Sequence, residues 1–548
     1  MARRPGDGLL APAHRVVSAD YIIVGAGAAG CVLANRLSEN PSISVLLLEA
    51  GGSDRHPFIQ MPRGLAKVMA DPNLMWPYMT NPEPGSNNVA ESWGRGRTLG
   101  GSSSVNGMVY VRGQDADFNA LAALTSDDWS WEHIGQAYRA LENHELGAAP
   151  TRGDRGALHI SLPEHQWPIM EAAIQAGVSL GLERKKDVND PADVPRIGFA
   201  PRTIYKGRRQ SASVAFLDSV KSRKNLTIIT QAQVDSVEFD GRRASAVRVL
   251  KDGQPVTYRA AREIILSGGT MASPAILQRS GVGPAELLAH HSIALVQQNE
   301  EVGANVREHR GIVMQWRVRE GASQNQDLQG VGLVASTARY AMTRGGALAG
   351  GVYDAAAWFK TREESLRPDA QILMAPYTID YENPSVGVET HPGMNFCVYN
   401  LRPESTGTVA IRSRDPAQIV EIKPGYATSE ADRRVMLAGI RFVRRLVAQS
   451  PLKEFVIEET RPGAQYQTDE ELTQAHLKFG YGNYHACGSC RMGRDSDSVV
   501  DPRLRVRGVD GLRVVDTSIF PFMLSGNTNG PAMATAWRAA DLILADQG

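Results

Sequence analysis

Short apolar runs separated by glycine-rich turns dominate the first half of the chain. Residues 20–24, 44–49, 226–229 and 263–267 are β-branched or leucine-rich and almost continuously apolar. That texture predicts strands buried on both faces. Residues 234–239 and 244–250 instead alternate apolar and polar side chains around Gly241, which predicts a half-exposed antiparallel pair. Helical spacing is found at residues 31–40, 130–142, 167–180, 211–220 and 532–544, and at 432–450 with Val435, Ile440, Val443, Leu446 and Val447 inward. In the helix predicted after residue 268, Ser273 reads as the N-cap, Pro274 as the first helical residue and Gly281 as the terminator. Beyond Gly311 the texture changes, and residues 312–318 and 394–399 predict an antiparallel sheet.

The first predicted strand runs straight into Gly25-Ala26-Gly27-Ala28-Ala29-Gly30, then a helix, then a strand ending in Glu49. In that context G-x-G-x-x-G is a dinucleotide fingerprint. The first glycine allows the tight turn, the second admits a pyrophosphate to the backbone, and the third lets helix and strand pack closely. Glu49 is placed to accept hydrogen bonds from ribose hydroxyls and disfavours a 2′-phosphate, so NADP is not expected. Residues 96–113 carry another run of small side chains, Gly100 to Ser104, followed by Asn106, which suits backbone lying against a planar ligand. Residues 51–91, with Trp76-Pro77-Tyr78, have no strong period and read as an excursion or lid.

At 548 residues the chain predicts two domains. Lys+Arg and Asp+Glu are both 59, so no net charge favours nucleic acid or an anionic membrane. No apolar run reaches the roughly 18 residues of a membrane span. The start, with Arg3-Arg4 and only a brief apolar patch, reads as a loose tail of a cytoplasmic protein rather than an export signal. Four cysteines are too few for a disulfide scaffold in a chain of this size. His485, Cys487 and Cys490 share one glycine-rich turn. They are open to reading as metal ligands or a redox C-x-x-C pair, but no further metal ligand lies nearby, and small residues packed under a functional turn is the plainer reading.

Four segments in order (25–30, 96–113, 269–283, and the turns holding His485 and Asn527) resemble the glucose–methanol–choline oxidoreductase family of FAD-dependent alcohol oxidoreductases. Within it the chain looks most like bacterial alcohol dehydrogenases and aryl-alcohol or hydroxymethylfurfural-type oxidases. The resemblance implies an α/β fold with a discontinuous, Rossmann-like FAD domain at 20–160, 205–310 and 481–548. A substrate domain with a mainly antiparallel sheet flanked by helices would occupy 161–204 and 311–480, after a flexible tail at 1–19. FAD contacts are implied at Gly25, Ala26, Gly27, Ala28, Ala29, Gly30, Glu49 and Ala50, and at Leu99, Ser103, Asn106, Gly107, Met108 and Val109. Val234 would lie near the adenine, Asp516 and Thr517 near the ribityl end, and Asn527 and Thr528 at the last turn.

The implied reaction oxidises a primary alcohol to an aldehyde, with hydride transfer to flavin N5. His485 would be the general base, Asn527 would orient the alcohol oxygen, and Tyr484 would line the substrate pocket. Oxygen, a quinone or another acceptor would reoxidise the cofactor. Some members bond flavin through a histidine where Val105 stands here, so non-covalent FAD is expected. Asn529 would cap the last helix and Pro531 would begin it, aiming its positive end at the flavin N1–C2 oxygen edge. Two alternatives stay open: a flavin-fold enzyme of another class, such as a hydroxynitrile lyase or photodecarboxylase, and a flavoprotein without turnover.

Overall fold

The computed structural model describes residues 18–251, 253–382 and 387–546. Most of the expected tail at 1–19 therefore lies outside the described residues.

The four apolar runs of the first half line up as parallel strands. Leu226–Ile229, Val45–Leu48, Ser18–Val24 and Gln254–Leu266 are neighbours in that order, and Leu512–Val514 adds a fifth strand beside Leu266. Ile22, Ile23, Leu46, Leu47, Ile264 and Ile265 are wholly buried, as near-continuous apolar runs require. Gln254–Leu266 is 13 residues long and does two jobs. Its first half pairs antiparallel with Arg243–Lys251, which pairs in turn with Ala232–Asp240. Its second half pairs parallel with Ser18–Val24. The parallel strands end in register at Val24, Leu48, Ile229, Leu266 and Val514. In an open α/β sheet that carboxyl edge is where a ligand binds.

The second sheet runs Val456–Arg461, Arg310–Val318, Gly393–Asn400, Ala370–Ala375, Ala355–Phe359, Arg196–Phe199 and Glu183–Arg184, with Gly480–Gly482 pairing against Arg310–Val318. It is antiparallel except for the short last pair. Its outer face carries Ile312, Met314, Ile372, Met394, Phe396 and Val398, buried under the helices Pro168–Ser179 and Glu430–Val447. The inner face carries Val313, Trp358, Leu373, Cys397 and Tyr399, with Gln315, Gln371 and Asn395 buried among them. Tyr399 turns toward the site: its ring centroid is 5.8 Å from that of His485.

Several sequence expectations need correction. The fingerprint helix spans Ala28–Leu37 rather than starting at Cys31, because Ala28, Ala29 and Gly30 of the motif wind into its first turn. A Cβ on Gly30 would sit 1.9 Å from the Gly25 carbonyl oxygen, so only glycine lets that turn close. Residues 211–220 contain a π-helical segment, Ser213–Leu217. The final helix is Asn529–Ala545 with Thr528 at its N-cap, so Asn529 does not cap it and Pro531 is its third residue. Proline is tolerated there because N–H groups of the first turn have no intrahelical partner. Residues 51–91 fold into the short helices Pro57–Gln60 and Leu65–Met69 and a strand, Met75–Trp76, paired with Arg95–Gly96.

Candidate active site at the sheet edge

The fingerprint loop is held by the Glu49 carboxylate and by backbone contacts. Ala26 N donates to Glu49 Oε2 at 2.9 Å and Gly51 N to Glu49 Oε1 at 2.8 Å. Glu49 is thus first a clasp for the loop, although each oxygen keeps a second acceptor site for a hydroxyl. Burial pushes its carboxyl up to about 7, against those two hydrogen bonds. Ala50 lies inside the clasped turn. Ala232 N donates to Glu49 O, which brings the strand carrying Val234 against the same turn. Gly100 N donates to Ala26 O at 2.8 Å and Leu99 N to Gly52 O at 3.0 Å, so the turn at Gly101–Ser104 lies on the fingerprint. Ser103 Oγ accepts Ala212 N at 2.8 Å. Beside Gly27 a Cβ would meet nothing within 4 Å. That open space, next to the start of the Ala28–Leu37 helix with Ala28 and Ala29 in its first turn, fits a pyrophosphate.

Asn106 to Val109 form the next wall. Asn106 Oδ1 accepts Met108 N at 3.0 Å and Arg209 Nη1 at 2.9 Å, and Met108 takes the left-handed conformation (φ +64°). Gly107 faces Val352 of the neighbouring segment. Arg209 was not singled out from the sequence. It is wholly enclosed, donates to the carbonyls of Ile59, Ser103 and Asn106, and leaves Nη2 without a partner. Burial alone lowers its guanidinium to about 9. Its only mark in the sequence is the pair Arg208-Arg209, a pattern that by itself reads as surface charge.

Asp516 fastens the C-terminal segment to the helix Gly269–Arg279. Its Oδ2 accepts Gly269 N at 2.8 Å and Ser273 Oγ at 2.6 Å, and its Oδ1 accepts Ser518 N at 2.8 Å. Thr517 Oγ1 lies 3.0 Å from Thr270 Oγ1. Ser273 is therefore not a cap: the helix begins at Gly269 and Pro274 sits inside it. Proline has no N–H, so the carbonyl of Thr270, one turn earlier, is free of its helical partner. Ser489 Oγ donates to that carbonyl at 2.6 Å. The misplaced proline creates the anchor for the His485–Cys490 turn.

His485 is 8% exposed and stands between two partners. Its Nδ1 lies 3.0 Å from His309 Nδ1, and its Nε2 lies 2.9 Å from Asn527 Nδ2. Glu308 holds the turn by accepting His485 N at 2.8 Å and Ala486 N at 3.0 Å, with Arg95 3.8 Å from its carboxylate. Burial raises Glu308 to about 7 and lowers His309 to about 4. His485 is pushed well below the usual imidazole range, first by burial, then by His309 and Arg95. It is neutral at pH 7. Asn527 Oδ1 is buried without a partner, and Thr528 follows it at the start of the last helix. Tyr484 is 38% exposed, in the left-handed conformation (φ +66°), with the Arg95 guanidinium 6.0 Å from its ring. Glu308 and His309 escaped the sequence reading. Their signal was faint: two titratable residues at the entry to the strand Arg310–Val318.

Cys487 and Cys490 are free and buried, and burial raises the Cys487 thiol to about 12. Cys487 Sγ packs 3.7 Å from Met523 Sδ. Val105 is enclosed with Ile59, Val68, Leu74 and Met75.

Residues 19–310 and 403–536 match the N- and C-terminal family models described as GMC oxidoreductase. The chain is 39% identical over 533 residues to a protein named oxygen-dependent choline dehydrogenase from Proteus mirabilis, covering 96% of this chain and 95% of that one. Among solved structures it resembles pyridoxine 4-oxidase from Mesorbium loti (29% identity, TM-score 0.86, 95% of this chain and 98% of that one). It also resembles a formate oxidase from Aspergillus oryzae (26% identity, TM-score 0.90, 97% and 99%). All three are oxidoreductases, which does not favour the lyase or decarboxylase alternative. With the glycine rim, the buried His485 turn and both family halves present in one chain, the protein belongs to the GMC oxidoreductase family and is an FAD-dependent enzyme acting on CH–OH donors.

Proposed function

We propose that the protein oxidises a primary alcohol to its aldehyde, with His485 as general base and Asn527 orienting the alcohol oxygen. The observation that carries this is the 2.9 Å contact between Asn527 Nδ2 and His485 Nε2, beside an Asn527 Oδ1 that is buried and unpartnered. An alcohol oxygen entering between them can accept from Asn527 Nδ2 while its hydroxyl donates to His485 Nε2, replacing the direct contact. When bound, non-covalent FAD supplies the acceptor for the hydride. The fingerprint loop and the space beside Gly27 would hold its pyrophosphate, and Glu49 its ribose. Asn106 to Val109, Asp516 and Thr517 would bound the rest, and Val105 offers no side chain for a covalent bond. The first turn of Asn529–Ala545 offers its positive end to negative charge.

The substrate hydroxyl gives its proton to His485 Nε2. Asn527 fixes the carbon's orientation but cannot take the proton itself. The low proton affinity of His485 keeps it ready as an acceptor at neutral pH. Oxygen as final acceptor is supported by the name of the Proteus mirabilis relative, and a quinone is the other candidate. Choline, pyridoxine and benzyl alcohol, offered anaerobically, test the reading. Bleaching of the flavin by at least one, with aldehyde formed in equal amount, is expected. Bound FAD that no alcohol bleaches, in protein that still binds them, would contradict it.

A further inference from the structure

His309 makes two contacts, and together they determine where the protons are on three residues. Its Nε2 lies 3.0 Å from the carbonyl oxygen of Leu401. A carbonyl can only accept, so His309 Nε2 carries hydrogen. Burial keeps His309 neutral well below pH 7, so its Nδ1 is a bare lone pair. That lone pair faces His485 Nδ1 at 3.0 Å, and only His485 is left to donate. A neutral His485 with hydrogen on Nδ1 has none on Nε2. The lone pair of Nε2 then points at Asn527, whose Nδ2 donates to it at 2.9 Å. Reversing any link would set two lone pairs or two N–H groups against each other.

We propose that His309 is a positioning residue that locks His485 in the Nδ1–H tautomer, so that Nε2 is the atom that accepts the hydroxyl proton once the alcohol takes the place of Asn527 Nδ2 on its lone pair. The inference rests on His485 being the base and adds why one nitrogen, and not the other, takes the proton. His309 is itself well fixed. It is wholly buried, its ring lies 4.9 Å from that of Tyr399, and its carbonyl accepts both the backbone and side-chain N–H of Asn483 at 2.9 Å. It is no proton relay: its far nitrogen already donates to Leu401, and a peptide carbonyl passes no proton on. A histidine in this place differs from a carboxylate in one useful respect. It fixes the tautomer without adding a negative charge that would raise the proton affinity of the base.

The test compares His309→Leu, His309→Gln and His309→Asn in the FAD-loaded enzyme, with His485→Ala alongside and the alcohol that bleaches wild type best as probe. An Asn amide reaches the Nδ1 position and can still accept from His485, whereas Gln reaches only the Nε2 position. The rate of flavin reduction is expected to fall by about 10²-fold in His309→Leu and His309→Gln, within the span of general-base catalysis. His309→Asn should recover most of it, and the apparent alcohol affinity should change far less than the rate. Nitrogen-15 NMR of histidine-labelled wild type should show a protonated Nδ1 and a bare Nε2 at His485. A wild-type rate in His309→Leu beside a collapsed rate in His485→Ala would overturn the tautomer lock and spare the base. A wild-type rate in His485→Ala would remove both. If His309→Leu fails to fold, an N–H on Nε2 of His485 in the wild-type spectrum would still overturn the proposal.

Discussion

Two surfaces meet at His485: the carboxyl edge of the parallel sheet and the inner face of the antiparallel sheet. The first is made of backbone. Its turns at Gly25–Gly30, Gly100 and Gly269 are tied together by backbone N–H groups that donate to Glu49, Asp516 and the Ala26 carbonyl. The second is made of side chains. Tyr399 Oη donates to Gln371 Oε1 at 2.8 Å, while Gln371 Nε2 and Asn395 Oδ1 stay buried and unpartnered. A backbone surface suits a cofactor that does not change. A side-chain surface suits a substrate, because replacing one residue alters recognition without unmaking the fold. Damage to the first should therefore cost FAD and stability together, and damage to the second should change substrate handling with FAD retained.

The sharpest break is expected at Gly30→Ala. The added methyl falls 1.9 Å from the Gly25 carbonyl oxygen. We expect loss of bound FAD and destabilisation of about 3 kcal/mol, read from the absorbance near 450 nm after gel filtration and from thermal unfolding. Flavin content equal to wild type would show that the loop adapts. Asp516→Ala comes next. It strips the acceptor from Gly269 N, Ser273 Oγ and Ser518 N, and should cost about 2 kcal/mol and weaken FAD retention. Denaturant unfolding measures the cost, and a change below about 0.5 kcal/mol would mean the segment is held elsewhere.

Gln371→Leu probes the other surface. Tyr399 Oη loses its acceptor, so stability should fall by only about 1 kcal/mol. FAD content should be unchanged while KM for the best alcohol rises several-fold. Loss of FAD in this variant would erase the distinction between the two surfaces.

The smallest effect at neutral pH concerns His476, on the helix Asp469–Phe479. Burial, then Arg310, lowers it from 6.5 to about 3, and its Nε2 has no partner. The unfolded chain binds this proton below about 6.5 and the folded chain only near 3. Stability is thus undiminished by His476 above pH 6.5 and is lost as pH falls from there toward 3. In His476→Gln the decline in urea midpoint between pH 7 and pH 5 should be shallower than in wild type. An equal decline would show that His476 is not buried neutral.

The same division explains what could be read from the residues alone. The strands and the tight turn at Gly25–Gly30 were legible because buried parallel strands and tight turns demand particular residue types at short spacing. The helix at residue 269 was misread because Pro274 normally starts a helix; its interior placement depends on Ser489, 219 residues away, taking the freed carbonyl. His485 and Asn527 stood in distinctive turns, but Glu308 and His309 did not. Their roles exist only through contacts with residues 92 or more positions distant, which no local pattern encodes. Arg209 was hidden for the same reason: a buried cation held by three distant carbonyls reads in sequence as surface charge.

The central claim is that His485 takes the proton of the alcohol. Stopped-flow reduction of FAD-loaded His485→Ala by the best anaerobic alcohol tests it most directly. The rate should fall by about 10²- to 10⁴-fold while FAD content and thermal unfolding stay close to wild type. A rate within a few-fold of wild type, with FAD equally bound, would contradict it.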